Sequence, residues 1–505
     1  MNTSYLRRLR APGALKTILS DGSGSRQCKK IVIDYSSPNI AKQFHIGNLR
    51  STLIGSYLEK VHRTLGNHVT SINYLGDWGT QFAMIATYWP QVRPSDAFWK
   101  SCSDVDKIRT LTDCYVVANK KSKVDENFRD QVRETFSEME QCLENNEMSS
   151  PTMRLWQDIR KISEQHLKHF YNMLNINFNS WQYESSYVTA ARRLTAGLVQ
   201  DNIARTTATG VWVVDLPNGE LEEYAVVRKS DYTTLYLSRE LSCILHRDEL
   251  FHADRYLYVV DRAQRRHFEA LRTILERIGR EDIAEKIEHI PYGRVKGLST
   301  RLPDKNEGEK MGRTEAVADI IDRGTELALQ FMMNSKTVKV PLEKEGEVAR
   351  QLSLSTVIFN DLKRAKSAEY EFSFKNAFDL NHNNALSLQV RHSRLCSIES
   401  NNAELLPLLD KCETVPVESP EFAKLAEQLS RFPEVIIKSA EHSEPCQLIV
   451  YLIELSHHIG HVVSQAKIKG QPVDVAIPRL LLLSAGRAAL NEGITLLGAP
   501  PVSTM

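Results

Sequence analysis

The pattern of apolar and polar positions divides the chain into an alternating first part and a helical second part. Runs rich in β-branched and aromatic residues at Ile31–Ile33, His68–Asn73 and Arg255–Val260 are typical of buried strands. Amphipathic helical patterns follow, as at His267–Ile278, which ends before Gly279. Strands that alternate with helices predict a parallel α/β sheet, because parallel strands need a crossover connection.

A charged, helix-patterned stretch from about residue 95 to 180 interrupts this alternation. Strand patterns return at Gly210–Leu216 and Tyr224–Val227, so we expect an insertion over about residues 95–225. After residue 324 the pattern is helical throughout, which predicts a separate bundle. The helices predicted there are Thr325–Met333, Leu352–Lys366, Ala385–Ser400, Phe422–Leu429, Cys446–Ser464 and Arg479–Leu490.

Composition adds a few exclusions. The 505 residues suffice for two to four domains, and no apolar run is long enough to span a bilayer, so we expect no membrane association. The net charge of +1 means that any RNA-binding surface is a local patch. The eight cysteines contain no C-x-x-C pair, which argues against a zinc ribbon and a disulfide scaffold and favours a reducing compartment.

The first 29 residues differ from the rest of the chain. Four basic residues precede the first acidic residue, Asp21, and apolar residues lie between them. This composition favours a mitochondrial transit segment with a linker over residues 1–29. A frayed basic terminus is the alternative.

Residues 31–56 carry the most informative chemistry. The strand pattern is followed by Ser-Ser-Pro-Asn, then by His45-Ile46-Gly47-Asn48 at the start of a helical pattern. A helix N-terminus with a glycine and a histidine can bind phosphate oxygens through N–H donors and a closely approaching backbone. An ordinary strand–loop–helix unit is the alternative interpretation.

The string SSPNIAKQFHIGNLRST resembles the HIGH signature of class I aminoacyl-tRNA synthetases, in the form typical of arginyl-tRNA synthetases. Similarity to that family extends from about residue 29 to the C-terminal residue. The other segments that carry it are INYLGDWGTQF (72–82), RKSDYTTLYLSREL (228–241), YVVDRAQRRHF (258–268), GRVKGLSTR (293–301), DLKRAKSAEYEFSF (361–374), LQVRHSRLCSI (388–398) and GITLLGAPPVSTM (493–505).

The resemblance implies an α/β protein with a Rossmann-type parallel-sheet catalytic domain over residues 30–324, its helical insertion, and an all-α anticodon-binding bundle over 325–505. It implies ATP-dependent activation of arginine and transfer to the 3′-terminal adenosine of arginine tRNA. We expect ATP with Mg²⁺, no structural metal, a monomer and a location in the mitochondrial matrix, with the cytoplasm as alternative.

The resemblance also assigns roles to individual residues. Those implied for arginine are Asp34, Asn39, Tyr236, Glu240 and Gln264. Those implied for ATP and catalysis are His45, Gly47, Asn48, His267 and Lys296, with Ser299, Thr300 and Arg301 in the KMSKS-type loop. Those implied for tRNA are His392, Arg394 and Met505.

Several positions depart from the family pattern. Position 34 is usually Glu and position 240 usually Asp, so the two carboxylate arms are exchanged here; we hypothesise that the exchange preserves the span of one pocket. Asn48 replaces the second histidine of HIGH and cannot carry a charge. Lys310 is a second candidate for the KMSKS-type lysine, and Val390 replaces an aromatic residue.

Related enzymes usually carry an additional N-terminal domain associated with the tRNA elbow, whereas only about thirty residues precede the first strand pattern here. We therefore expect this chain to serve a mitochondrial tRNA with a reduced elbow. Two other functions stay open from the sequence. One is a catalytically impaired, synthetase-derived tRNA-binding protein, which Asn48 and the altered KMSKS-type loop favour. The other is a class I synthetase for another amino acid, which the two pocket carboxylates oppose.

Overall fold

The structure is a computed structural model that describes residues 3–22, 27–41, 44, 46–216, 224–296, 317–335, 338–373, 377, 384–415 and 419–505. The chain forms two compact units. The helical unit contains residues 1–29, 45–69 and 292–505, and the sheet unit contains residues 30–44 and 70–291.

A five-stranded sheet with the order β3-β2-β1-β7-β8 organises the sheet unit. Strand β1 pairs in parallel with β7 and β2 pairs in parallel with β3, as the alternation of strands and helices predicts. Ile31, Val32 and Ile33 are all buried, because helices cover both faces of such a sheet. The strands are β1 (Lys30–Asp34), β2 (His68–Leu75), β3 (Ser180–Tyr183), β7 (Arg255–Asp261) and β8 (Ile287–Tyr292).

Between β2 and β7 lies a largely helical stretch with a small antiparallel sheet. Helix α4 packs on α6 and α7, and α9 packs on α10. The small sheet has the order β4-β5-β6 and consists of β4 (Arg205–Thr206), β5 (Trp212–Asp215) and β6 (Tyr224–Arg228). The helices of the sheet unit are α4 (Thr80–Val92), α5 (Asp96–Ser101), α6 (Asp104–Val124), α7 (Glu126–Glu144), α8 (Pro151–Met173), α9 (Val188–Gln200), α10 (Tyr236–Phe251), α11 (Arg265–Arg277) and α12 (Glu281–Ala284).

The helical unit contains the helix that follows the HIGH-like loop together with the C-terminal half of the chain. Helix α13 packs on α14, which also contacts α3 and α15, and α18 packs on α16, α17 and α19. A two-stranded parallel pair is formed by β9 (Val295–Lys296) and β10 (Tyr370–Glu371). The helices are α1 (Thr3–Leu9), α2 (Ala14–Gly22), α3 (Ile46–Thr64), α13 (Val317–Asn334), α14 (Glu345–Leu362), α15 (Ala385–Ser400), α16 (Pro420–Ser430), α17 (Phe432–Glu441), α18 (Pro445–Gln465) and α19 (Val473–Leu496).

The N-terminal helices pack against this helical unit. Helix α1 contacts α19, and α2 contacts α3 and α17. Leu6, Leu9 and Leu15 are fully buried, and the Tyr5 hydroxyl donates to the Leu429 carbonyl at 2.9 Å. Residues 3–22 therefore have a defined place in the fold, and cleavage of a transit segment stays a prediction.

The C-terminal segment is held by side chains of α15. Gln389 donates from Nε2 to the Pro500 carbonyl at 2.8 Å and accepts the Val502 N–H at 2.8 Å. The apolar side chain of Val502 is 2 % exposed. These two hydrogen bonds hold residues 500–502 against α15.

Two further findings concern the hydropathy of the helices and the state of the cysteines. Among the described residues, no helix combines the length and apolarity that a bilayer crossing requires. All eight cysteines are free thiols.

Candidate functional site

The candidate arginine pocket lies in the sheet unit, where β1 and α10 supply its charged groups. Asp34 is the last residue of β1, and the carboxyl ends of parallel strands are the usual place for a ligand. Tyr236 and Glu240 are four residues apart at the start of α10 and therefore share a helix face. Arg247, seven residues further, lies on the same face.

Arg247 joins the two carboxylates. Its Nη2 lies 2.7 Å from Asp34 Oδ2, and its Nη1 lies 3.8 Å from Glu240 Oε1. The guanidinium also donates to Gln182 Oε1 at 2.8 Å and to the Tyr258 hydroxyl at 3.0 Å. The side chain is fully buried, so this cation is a fixed part of the pocket.

Sequence reasoning missed Arg247. The available signal was its helical spacing from Glu240, which puts both residues on one face of α10. Because a buried arginine needs anionic partners, that spacing indicates an internal ion pair as well as a substrate pocket.

Of the two pocket carboxylates, Glu240 has the weaker set of hydrogen-bond and ion-pair partners. It is 1 % exposed, and neither of its oxygens has a hydrogen-bond partner of normal geometry among the described residues. Burial raises the pKa of Glu240 to about 7, against the effects of Arg247 and the Tyr258 hydroxyl, while Asp34 raises it further. A buried acceptor of this kind is suited to a cationic ligand.

The loop after β1 is held in an unusual backbone conformation. Ser36, Ser37 and Ala41 have φ values of 68°, 39° and 64°. The Ser37 hydroxyl donates to Asp34 Oδ1 and accepts the Tyr74 N–H at 2.9 Å. Strained residues of this kind persist where neighbouring contacts over-determine them, as at binding sites.

Asn39 and Gly76 approach each other closely next to this loop. They form a parallel bridge, and a Cβ at Gly76 would lie 2.1 Å from Asn39 Oδ1. A side chain at position 76 would therefore displace Asn39, which explains the glycine of the GDWG segment. Asn39 itself is exposed, as a ligand-binding side chain can be.

Two further predicted pocket residues, Tyr236 at the start of α10 and Gln264, lie close to the first turn of α11. The Tyr236 and His267 rings are 4.6 Å apart between centroids, at an interplanar angle of 30°. Burial lowers the pKa of His267 to about 4, with a contribution from His289, so the imidazole is neutral at pH 7. Gln264 is exposed and precedes α11.

The predicted ATP residues belong mostly to the helical unit. Gly47 and Asn48 lie in the first turn of α3, at its positively polarised end. Lys296 ends β9, and α3 contacts β9. Outside the described residues lie His45, Ser299, Thr300, Arg301 and Lys310.

The predicted tRNA residues have different environments. His392 is 2 % exposed and its Nδ1 is 2.9 Å from the Val502 carbonyl oxygen. The ring of His392 therefore packs the C-terminal segment onto α15, and its contact with tRNA stays a prediction. Arg394 is exposed, and Met505 packs partly buried against the core of α13 and α14.

No cluster of three or more metal-ligating side chains occurs within the described residues.

Family models match the chain over nearly its whole length. The model for "tRNA synthetases class I (R), catalytic domain" matches residues 14–374, and the "DALR anticodon binding domain" model matches residues 388–505. The chain belongs to the arginyl-tRNA synthetase family. It is an aminoacyl-tRNA ligase, specifically an arginine–tRNA ligase, as the motif resemblance predicts.

Among its relatives, a Mus musculus protein named "Probable arginine--tRNA ligase, mitochondrial" is 33 % identical over 94 % of this chain and 78 % of its own length. A Saccharomyces cerevisiae protein named "Arginine--tRNA ligase, mitochondrial" is 31 % identical over 95 % of this chain and 73 % of its own length.

Solved structures show the same fold. The arginyl-tRNA synthetase of Thermus thermophilus has a TM-score of 0.75 at 19 % identity, and covers 99 % of this chain with 86 % of its own. The Plasmodium falciparum enzyme has a TM-score of 0.73 at 21 % identity, and covers 98 % of this chain with 83 % of its own.

Proposed function

We propose that this arginyl-tRNA synthetase recognises arginine through Glu240 and charges a mitochondrial arginine tRNA. The observation that carries the pocket assignment is the buried, incompletely compensated carboxylate of Glu240 beside the Arg247–Asp34 pair. Because one guanidinium, that of Arg247, faces the two carboxylates of Asp34 and Glu240, the ionised pocket retains a net negative charge of one. The guanidinium of free arginine supplies the missing cation and the N–H donors.

Discrimination against other amino acids follows from the same charge. A neutral side chain would leave Glu240 desolvated and unpaired, which costs several kcal/mol. A lysine ammonium would balance the charge but lacks the planar fork of donors that a carboxylate accepts in pairs. The structure therefore supports arginine over both classes of competitor.

Adenylate formation is the step for which we propose the remaining residues. The arginine carboxylate attacks the α-phosphorus of ATP, an arginyl-adenylate forms, and pyrophosphate leaves. The first turn of α3, with Gly47 and Asn48, offers N–H donors to phosphate oxygens, and Lys296 would offset the charge that grows on pyrophosphate. Mg²⁺ would be bound chiefly by the phosphates of ATP, since such sites use few protein carboxylates.

The second step transfers arginine to the 3′-terminal adenosine of its tRNA. The match of residues 388–505 to an anticodon-binding domain supports recognition of the tRNA by the C-terminal helices. Arg394 is the exposed basic residue we propose for this contact. The named mitochondrial relatives support a location in the mitochondrial matrix.

Aminoacylation and ATP–pyrophosphate exchange with the full chain test this proposal. We expect arginine-specific charging of a mitochondrial-type tRNA that is abolished by His45→Ala. Tight tRNA binding without charging or exchange would support the catalytically impaired alternative. A clear preference for a full cytosolic-type tRNA would contradict the mitochondrial assignment.

We further propose that the enzyme acts as a monomer. Sedimentation at micromolar concentration, without tRNA, should give one species at 57.5 kDa whether or not arginine and ATP are present. A concentration-dependent dimer would contradict this.

A further inference from the structure

Arg50 is a buried cation in the second turn of α3, within the HIGH-like string. Its side chain is 1 % exposed. Nη2 donates to the carbonyl oxygens of Ala365 at 2.9 Å and Lys366 at 3.1 Å. Nη1 lies 3.6 Å from Asp361 Oδ1. Arg50 thus holds α3 to the segment Asp361–Glu371, which we call the bridging segment.

The bridging segment also contacts β9 and the residues that precede it. The Lys366 carbonyl that accepts from Arg50 also accepts the Gly293 N–H at 2.8 Å. Further along, Tyr370 and Glu371 pair in parallel with Val295 and Lys296. One carbonyl oxygen therefore links α3 to the chain that leads into β9.

Other contacts make this link stiff. The Tyr370 hydroxyl donates to Asp361, and the Arg50 guanidinium lies 5.2 Å from the centre of the Tyr370 ring. The Lys366 N–H donates to Glu444 at 3.1 Å, which attaches the bridging segment to the turn between α17 and α18. The position of the Lys366 carbonyl is thus fixed by several independent partners.

We propose that Arg50 is a positioning residue for β9, and that it sets, through the Lys366 carbonyl, where the backbone of Lys296 lies relative to the first turn of α3. The inference rests on the proposed role of Lys296 in adenylate formation. A cation that stabilises leaving pyrophosphate is effective only when it is held close to its productive position. The guanidinium places one nitrogen, Nη2, on both carbonyls while a second, Nη1, faces Asp361. An ammonium has a single nitrogen for all three partners.

The first test is Arg50→Lys, which keeps a positive charge but loses the separate nitrogens that face the two carbonyls and Asp361. Pyrophosphate exchange is measured on the full chain with tRNA present. We expect kcat to fall by about tenfold or more, because transition-state stabilisation is lost. We expect KM for arginine to change by less than about twofold, because the pocket residues belong to the sheet unit and keep their own contacts.

Gly293→Ala disturbs the same link from the side of β9 and leaves Arg50 in place. A Cβ at residue 293 would lie 2.4 Å from the Ser367 carbonyl oxygen and 2.7 Å from that of Ala368. We expect the same signature, a lower kcat with an unchanged KM for arginine. The matched control is Arg63→Lys at an exposed position of α3, which should keep the wild-type kcat.

A lower melting temperature with wild-type kcat in both variants would show that Arg50 only stabilises the fold, and would overturn the inference. A rise in KM for arginine as large as the fall in kcat would overturn it as well. A wild-type enzyme without exchange or charging would refute the proposed function itself, which distinguishes the two failures.

Discussion

At the scale of single residues, one buried arginine faces both carboxylates of the candidate arginine pocket at unequal distances. Arg247 lies 2.7 Å from Asp34 but 3.8 Å from Glu240. The shorter carboxylate arm thus pairs with the internal arginine, and we propose that the longer arm binds the substrate. The hypothesis that the exchange preserves the span of one pocket stays a prediction.

We predict that Glu240→Gln lowers kcat/KM for arginine by roughly a hundredfold, since a charged acceptor is replaced by a neutral one. In the wild type, kcat/KM for arginine should rise with pH up to about 7, where Glu240 becomes ionised. The pH profile of arginine-dependent exchange checks both, and the Gln variant should lose this rise. An unchanged profile in the variant would contradict the assignment.

The same substitution should stabilise the protein at high pH. The pKa of Glu240 is higher in the fold than the ordinary value of 4.5, so the folded state retains a proton that the unfolded chain releases. The free energy of unfolding therefore falls as pH rises from 4.5 towards 7. Melting temperatures should be higher for Glu240→Gln than for wild type at pH 8, and nearly equal at pH 4.

Arg247→Met should have the opposite effect on stability. It leaves Asp34 and Glu240 buried without a counter-charge, which costs about 3–5 kcal/mol of unfolding free energy. Chemical denaturation measures the loss, and adding Asp34→Asn to the same chain should restore part of it. A double variant no more stable than Arg247→Met would show that the two charges are not coupled.

At the scale of elements, the N-terminal helices make a testable contribution to the helical unit. Leu9 is fully buried in α1, so Leu9→Ala should cost about 2–5 kcal/mol of stability. Lys16→Ala, at an exposed position of α2, is the control and should cost little. Equal melting temperatures for wild type and Leu9→Ala would show that α1 does not contribute to the folded protein.

Helices and strands with a clear period were predictable from the sequence, and contacts between distant segments were not. Helix α15 has the predicted bounds, Ala385–Ser400, because its apolar period and its Asn384 cap are local signals. The period of residues 3–22 gave no information about a partner more than 400 residues away. The basic, amphipathic composition of residues 1–29 therefore predicts a transit segment and gives no sign that α1 packs on α19.

The chemistry of the site was predictable in type but not in pairing. The carboxylates of Asp34 and Glu240 followed from motif resemblance, whereas their unequal distances from Arg247 depend on how α10 packs beside β1. The resemblance implies a tRNA contact for His392, and its environment in the fold could not be read from the motif. Its bond to the Val502 carbonyl joins positions 110 residues apart, which no local pattern reveals.

At the scale of the whole molecule, stability should not depend on thiol oxidation. All eight cysteines are free, so no covalent bridge restrains the unfolded chain. We predict that a reducing agent leaves the melting temperature unchanged, as calorimetry with and without dithiothreitol can show. A decrease on reduction would reveal a disulfide and contradict the assignment to a reducing compartment.

The packing of α1 on α19 has a consequence for the chain while it is being made. Leu9 leaves the ribosome roughly half a minute to a minute and a half before Val473, at typical synthesis rates of about 5–20 residues per second. During that interval α1 cannot make its contacts with α19. A receptor that recognises residues 3–22 as a basic, amphipathic targeting segment, as the composition predicts, would therefore have to bind them before α19 is synthesised. After that, Leu6 and Leu9 are buried in the helical unit.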